Sequence, residues 1–150
     1  MKYETQNDLQ NESWVLDYLA ESHTWANYKF RKLDLKYSVD YAISELGSNE
    51  IIGYAEIKCY KVPYSTYSST MLSAYKVERG LAISEGFKRK FFHIVRYSDG
   101  VVAWQQITYD KCTDLRWGGR KTERHKGNGD REPIWYFNKS DYKVVKKIPR

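Results

Sequence analysis

Two cysteines, three prolines and no apolar run approaching the ~20 residues needed to span a bilayer already remove several protein classes. Cys59 and Cys112 have neither the Cys/His spacing of a zinc site nor the density of a disulfide scaffold. Both read as free thiols, with strand packing the role of Cys59. No G-x-x-x-x-G-K loop is present, which speaks against an enzyme acting on a small phosphorylated metabolite. The N-terminus, Met1 to Glu12, is polar and carries acidic residues, unlike a signal or transit peptide. The expectation is a soluble, cytoplasmic protein with no membrane partner. At 150 residues the chain has the length of one domain, enough to bury roughly two-thirds of the surface its unfolded form exposes.

What the sequence has in quantity is positive charge and aromatic rings. Lys and Arg number 25 against 19 Asp and Glu, a net +6, and the rings include 14 Tyr and 5 Trp. Phosphates attract such a chain and release counterions on binding. The rings serve as core or as stacking platforms for bases, and core is the reading for most of them.

Hydrophobic spacing divides the chain into elements. Trp14, Val15, Tyr18 and Leu19 share one helix face, so a first helix is expected over about Asn11 to Glu21 with Asn11 as N-cap. From Tyr28 to Ser44, Leu33, Leu35, Tyr37, Val39, Tyr41 and Ile43 alternate with polar or small residues, the period of a strand or a bent strand pair. Gly47-Ser48-Asn49 marks a turn into a strand from Ile51 to Val62, ended by Pro63. Ser69 to Glu85 is rich in helix formers and reads as a second helix, weakened by Gly80. Arg89 to Arg96 and Val101 to Tyr109, joined by Tyr97-Ser98-Asp99-Gly100, form a hairpin. Lys111 to Arg131 is dense in charge and glycine and reads as a mobile surface loop before the apolar run Ile134 to Phe137.

Asp40 falls on the polar face of one expected strand, and Glu56 and Lys58, two residues apart, share the polar face of the next. Neighbouring strands would bring the three together. Converging carboxylates repel unless a hard cation lies between them, and Mg²⁺ takes oxygen ligands from one or two such groups while keeping several waters. An ammonium beside them can orient a water and stabilise charge that develops on a phosphate.

Asp40, fifteen intervening residues, then Glu56-Ile57-Lys58 on a strand followed by a helix resembles the D-x(n)-E-x-K signature of the PD-(D/E)XK, or restriction-endonuclease-like, nuclease superfamily. Val39 stands where the superfamily's eponymous proline would be. The resemblance implies an α/β domain over 1–150 with an α-β-β-β-α-β core, a central mixed sheet flanked by helices, and a charged flexible loop at about 111–131. It implies catalysis by Asp40, Glu56 and Lys58, with Mg²⁺ or Mn²⁺ held by Asp40, Glu56 and the Ile57 carbonyl. An acidic residue from the first helix often joins such sites, and here Glu12 is the candidate, with Glu21 second. Tyr64-Ser65-Thr66-Tyr67 leading into Met71 to Lys76 resembles the segment of small phage-type members in which a helix carries a Ser and a Lys over the site. That adds Ser73, Lys76 and Tyr67 as DNA contacts, and the basic stretch adds Arg116 and Arg120.

Each assignment has a plainer counterpart. An E-x-K triplet is common on exposed strands, Lys76 and Arg79 are equally read as solvated helix charges, and a charge-rich loop is more often hydrated than a phosphate clamp. His23, His93 and His125 have no mutual metal-ligand spacing, so an HNH-type site is not expected; His93 reads as a packed or surface residue. The sequence therefore reads as a metal-dependent DNA endonuclease, structure-selective in the manner of Holliday-junction resolvases, with a homodimer compatible with cutting two strands. The rival from another class is a non-catalytic nucleic-acid-binding or phage-host interaction protein on the same fold.

Overall fold

In the computed structural model, which describes residues 6–34, 39–119 and 131–148, helix α1 spans Gln6–Ala20 and buries Glu12, Val15 and Leu19. This i, i+3, i+7 stripe is the inward face of an amphipathic helix. The helix starts five residues before Asn11, which is therefore interior and caps nothing; Gln6 to Gln10 carry no apolar period to reveal them. At the other end the Ser22 hydroxyl donates to the Leu19 carbonyl at 2.7 Å and accepts from the Trp25 N–H at 3.1 Å, turning the chain out of the helix.

The alternating stretch forms two strands, β1 (Tyr28–Lys32) and β2 (Tyr41–Glu45), paired antiparallel with Lys32 opposite Tyr41. Leu35 and Tyr37 of that pattern lie outside the described residues. β3 (Ile51–Cys59) pairs antiparallel with β2, placing Ala55 opposite Tyr41, and parallel with β5 (Lys90–Arg96), placing Glu56 opposite His93. β3 stops at Cys59, short of the expected end before Pro63. β6 (Val102–Gln106) returns antiparallel to β5, as the hairpin signal requires, and Gly100 takes the positive φ of +86° that the turn needs.

The second expected helix is half strand. Ser69–Ser73 is β4, and helix α2 covers Ala74–Gly86. Thr70 and Leu72 are both buried at a spacing of two, and pairing with β8 (Arg131–Asn138) outweighs their local helix propensity. The charged stretch likewise hides a strand: β7 (Asp114–Gly119) pairs antiparallel with β8 from Asp114 opposite Tyr136 to Gly119 opposite Arg131. That corrects the loop reading for 114–119, while 120–130 lie outside the described residues. The main sheet runs β1-β2-β3-β5-β6-β9, where β9 is Lys143–Val144, and the second runs β4-β8-β7.

The mixed main sheet is covered on both faces, and the elements α1, β1, β2, β3, α2 and β5 give the expected α-β-β-β-α-β order with β4 inserted before α2. On one face Val15 and Leu19 of α1 pack with Trp25, Tyr41, Ile43, Ala55, Ile57 and Ile94. On the other, Val77 and Leu81 of α2 pack with Val39, Phe91, Val95, Leu72 and Phe137. Among the described residues no helix is long and apolar enough to cross a membrane.

Gly80 explains how α2 lies so close to the sheet. A Cβ there would sit 2.4 Å from the Phe91 ring, and Phe91 is itself 1% exposed. Gly80→Ala gains about 1 kcal/mol of helix propensity but forces overpacking that costs about 1–3 kcal/mol. We expect a net loss of stability, seen as a lower urea midpoint; a raised midpoint would contradict this account of the helix seat.

Candidate active site

Asp40 immediately precedes β2, at the point where the β2–β3 ladder ends. Its backbone N–H donates to the Ala55 carbonyl at 3.1 Å, its carbonyl accepts from Leu33 N–H at 2.9 Å, and its carboxylate Oδ2 accepts from the Ile57 N–H at 3.0 Å. The side chain thus takes over from the backbone ladder. In an extended strand a residue's N–H and C=O point to the same side, so the Ile57 carbonyl also faces the Asp40 side. Asp40 and Glu56 are each 4% exposed.

Glu56 lies in the middle of the central strand, and its Oε1 accepts a short hydrogen bond from the Lys76 ammonium on α2. Lys76 reaches it because Ser73 starts the helix at the right place: the Ser73 hydroxyl accepts from the Lys76 backbone N–H at 3.2 Å as N-cap. Ser73 and Lys76 are therefore not two side chains on one helix face. One caps the helix, and the other is an internal cation beside Glu56. Lys58, two residues along β3, is exposed on the Glu56 side of the strand.

The two candidate acids at the first helix differ in burial. Glu12, 9% exposed, accepts hydrogen bonds on Oε1 from Lys32 Nζ at 2.9 Å and from the Tyr41 hydroxyl at 3.0 Å. The same Lys32 ammonium is 3.9 Å from Asp40 Oδ1 and so links the helix acid to the strand acid. Glu21 instead pairs with Lys147 at 3.0 Å on the surface. Nothing in the sequence singles out Lys32 or Tyr41: Lys32 is one basic residue among many, and Tyr41 is an apolar position in an alternation.

The remaining sequence candidates stand apart from this cluster. Tyr67 is 58% exposed in the connection from β3 to β4. Arg116 is on β7 in the second sheet, where it chelates Asp114 at 3.1 and 2.9 Å and lies 3.9 Å from the centre of the Tyr136 ring. Arg120 lies outside the described residues. Tyr64 is a core ring, edge-on to Tyr97. Cys59 and Cys112 are free, and burial raises the pKa of both thiols.

Asp40 and Glu56, both buried, and the Ile57 carbonyl offer oxygen donors only, with Glu12 linked to Asp40 through Lys32. That is the chemistry hard divalent cations select, so the residues fit such an ion. Among the described residues no three of His, Cys, Asp and Glu are gathered into a ready-made ligand cluster, and ammonium groups occupy the carboxylates instead.

An α-β-β-β-α-β order that carries Asp at the head of one strand and Glu-x-Lys on the next is the arrangement of PD-(D/E)XK nucleases. The sequence agrees: residues 1–145 match the family described as "Phage putative PDDEXK endonuclease", and the chain belongs to that family. Its fold is similar to that of Hjc, a Holliday junction resolvase from the archaeal hyperthermophile Archaeoglobus fulgidus, with a TM-score of 0.54, 16% identity, and coverage of 95% of this chain and 93% of that one. Among curated proteins nothing matches.

His93 was expected to be packed or superficial, and it is fully buried on β5 beside Glu56, where desolvation, with the Lys58 and Lys76 charges secondary, pushes its pKa down to about 3. The folded ring stays neutral where the unfolded one, at its ordinary ~6.5, takes a proton. Stability from this residue is therefore complete above pH ~6.5 and falls as pH drops toward ~3. Between pH 7 and 5 it should account for about 2 kcal/mol of lost stability. His93→Gln should flatten the urea-midpoint profile over that interval, and an unchanged slope would show that His93 does not dominate it.

Proposed function

We propose that the chain is a Mg²⁺- or Mn²⁺-dependent endodeoxyribonuclease selective for DNA structure rather than sequence. The observation that carries this reading is the Asp40 carboxylate closed onto the Ile57 N–H, which pins the Asp strand to the Glu-x-Lys strand at the position the signature requires. Family membership supports phosphodiester cleavage, and the fold likeness to a Holliday junction resolvase favours branched DNA as the substrate class.

Asp40, Glu56 and the Ile57 carbonyl would hold the cation, with Glu12 beside them. When bound, the cation supplies Lewis-acid stabilisation of the phosphate and lowers the pKa of a nearby water. Asp40 keeps its orientation through the Ile57 N–H, and Glu56 is held by the Lys76 ammonium, whose place on the carboxylate a cation would take. Lys58, exposed on the same face of β3, orients the attacking water and steadies charge growing on the phosphate. Lys32 holds Glu12 and Asp40 in mutual range despite their like charges. Tyr67 and Arg116 are candidate DNA contacts away from the reacting atoms, as is Arg120 from the sequence. Cutting two strands of a symmetric junction would use a homodimer.

The test is cleavage of duplex, single-stranded, nicked, flap and four-way-junction DNA and of an RNA duplex, with Mg²⁺, Mn²⁺ or EDTA. Asp40→Ala, Glu56→Gln and Lys58→Ala should each lower the rate by about 10²-fold or more while DNA binding is kept, and the junction should be cut fastest. No turnover on any substrate, with binding indifferent to metal, would favour a non-catalytic nucleic-acid-binding protein.

A further inference from the structure

Glu56 is not an isolated polar residue inside the sheet. Register places Glu56 on β3 opposite His93 on β5, and His93 opposite Gln105 on β6. In-register residues of neighbouring strands project to the same face, so the three side chains form a row, all of them buried. Buried polar side chains side by side across three strands are unusual in a sheet otherwise filled with Ile, Val, Phe and Tyr.

His93 is oriented from behind by two hydroxyls. The Thr70 hydroxyl donates to the Tyr142 hydroxyl oxygen at 2.8 Å, and Tyr142 lies 2.7 Å from His93 Nδ1. With Thr70 donating to its oxygen, Tyr142 has its own proton to give to Nδ1, an arrangement in which the neutral ring carries its proton on Nε2. Thr70, Tyr142 and His93 are all buried, so the choice of tautomer belongs to the core and not to solvent. The Nε2–H has no hydrogen-bond partner among the described residues. Asp40, Lys58 and Lys76 all act electrostatically on the ring, which sets it at the active site.

We propose that His93 is a positioning residue for Glu56: the Thr70–Tyr142 pair fixes the imidazole as its Nε2–H tautomer, and that N–H holds the Glu56 carboxylate once it exchanges the Lys76 ammonium for a divalent cation. The inference rests on the reading of Glu56 as a metal ligand. Hydrogen bonds of this kind, made by groups that do not touch the metal themselves, typically change metal affinity by about 10–100-fold.

The test combines Mn²⁺ binding by calorimetry with the His93 tautomer, read from long-range ¹H–¹⁵N correlations of metal-free protein at pH 7. We expect the Nε2–H tautomer in the wild type and its partial loss in Tyr142→Phe. His93→Phe, similar in volume but without the N–H, should bind Mn²⁺ about tenfold more weakly. His93→Gln, which returns an amide N–H near the Nε2 position, should recover most of that affinity. In a Glu56→Gln background His93→Phe should cost nothing further, a non-additivity that a purely structural role would not produce. An Nδ1–H tautomer in the wild type, wild-type Mn²⁺ affinity in His93→Phe, or equal losses in His93→Gln and His93→Phe would each overturn the proposal. Should His93→Phe fail to fold, Tyr142→Phe carries the test, and unchanged Mn²⁺ binding there overturns it. If Glu56→Gln alone leaves Mn²⁺ binding intact, it is the metal-ligand reading that fails.

Discussion

Placing the Glu56 carboxylate in the middle of the central strand is the constraint on which the rest of this structure depends. β3 is paired on both edges and covered on both faces, so an ion there loses almost all contact with water. Burying a lone carboxylate costs several kcal/mol even after relaxation. The fold answers with a cation at hydrogen-bond distance, Lys76, delivered by a helix whose first turn is set by Ser73 and whose approach is permitted by Gly80. A helix starting one residue later would rotate Lys76 by about 100° away from the sheet. The cap, the glycine and the ion pair therefore act as one device.

A second carboxylate within reach raises the electrostatic difficulty, and the structure meets it in a different way. Asp40 is stabilised by a backbone N–H that would otherwise belong to the sheet ladder, and by the Lys32 ammonium that it shares with Glu12. Charge is thus balanced locally, by lysine side chains. His93, buried on this face, is kept neutral by desolvation and so adds no positive charge beside the two lysines. Each acid is thus held in place by an ammonium group delivered from a neighbouring element, Lys32 from β1 and Lys76 from α2.

The second sheet does more than extend the molecule. Thr70 of β4 and Phe137 of β8 are buried against the α2 face of the main sheet, and Tyr142 follows directly after β8 and its short connecting turn. The hydroxyl chain that reaches His93 thus begins in the inserted strand. An element that is an addition to the α-β-β-β-α-β core is thereby coupled to the residue next to Glu56.

The elements with strong local signals were legible in the sequence. The β5–β6 hairpin follows from Asp-Gly between β-rich runs, the strands of Asp40 and Glu56 follow from period-two alternation, and the pairing of an Asp strand with Glu-x-Lys follows from side-chain parity, a local property of extended backbone. Where β4 and β7 form, local composition points to helix or loop, and only pairing with a strand more than 15 residues away or across a charged connection supplies the missing hydrogen bonds and burial. For the same reason the partners of the acids could not be read in advance. Lys32, Tyr41, Lys76 and His93 are ordinary residues in the one-dimensional pattern, and long-range register alone brings each to Glu12, Asp40 or Glu56. By itself the sequence determined which residues make up the Asp and Glu-x-Lys signature and on which strand faces they stand; the tertiary structure decided which charges neutralise them, because Coulombic and hydrogen-bond energies depend on distances that folding alone sets.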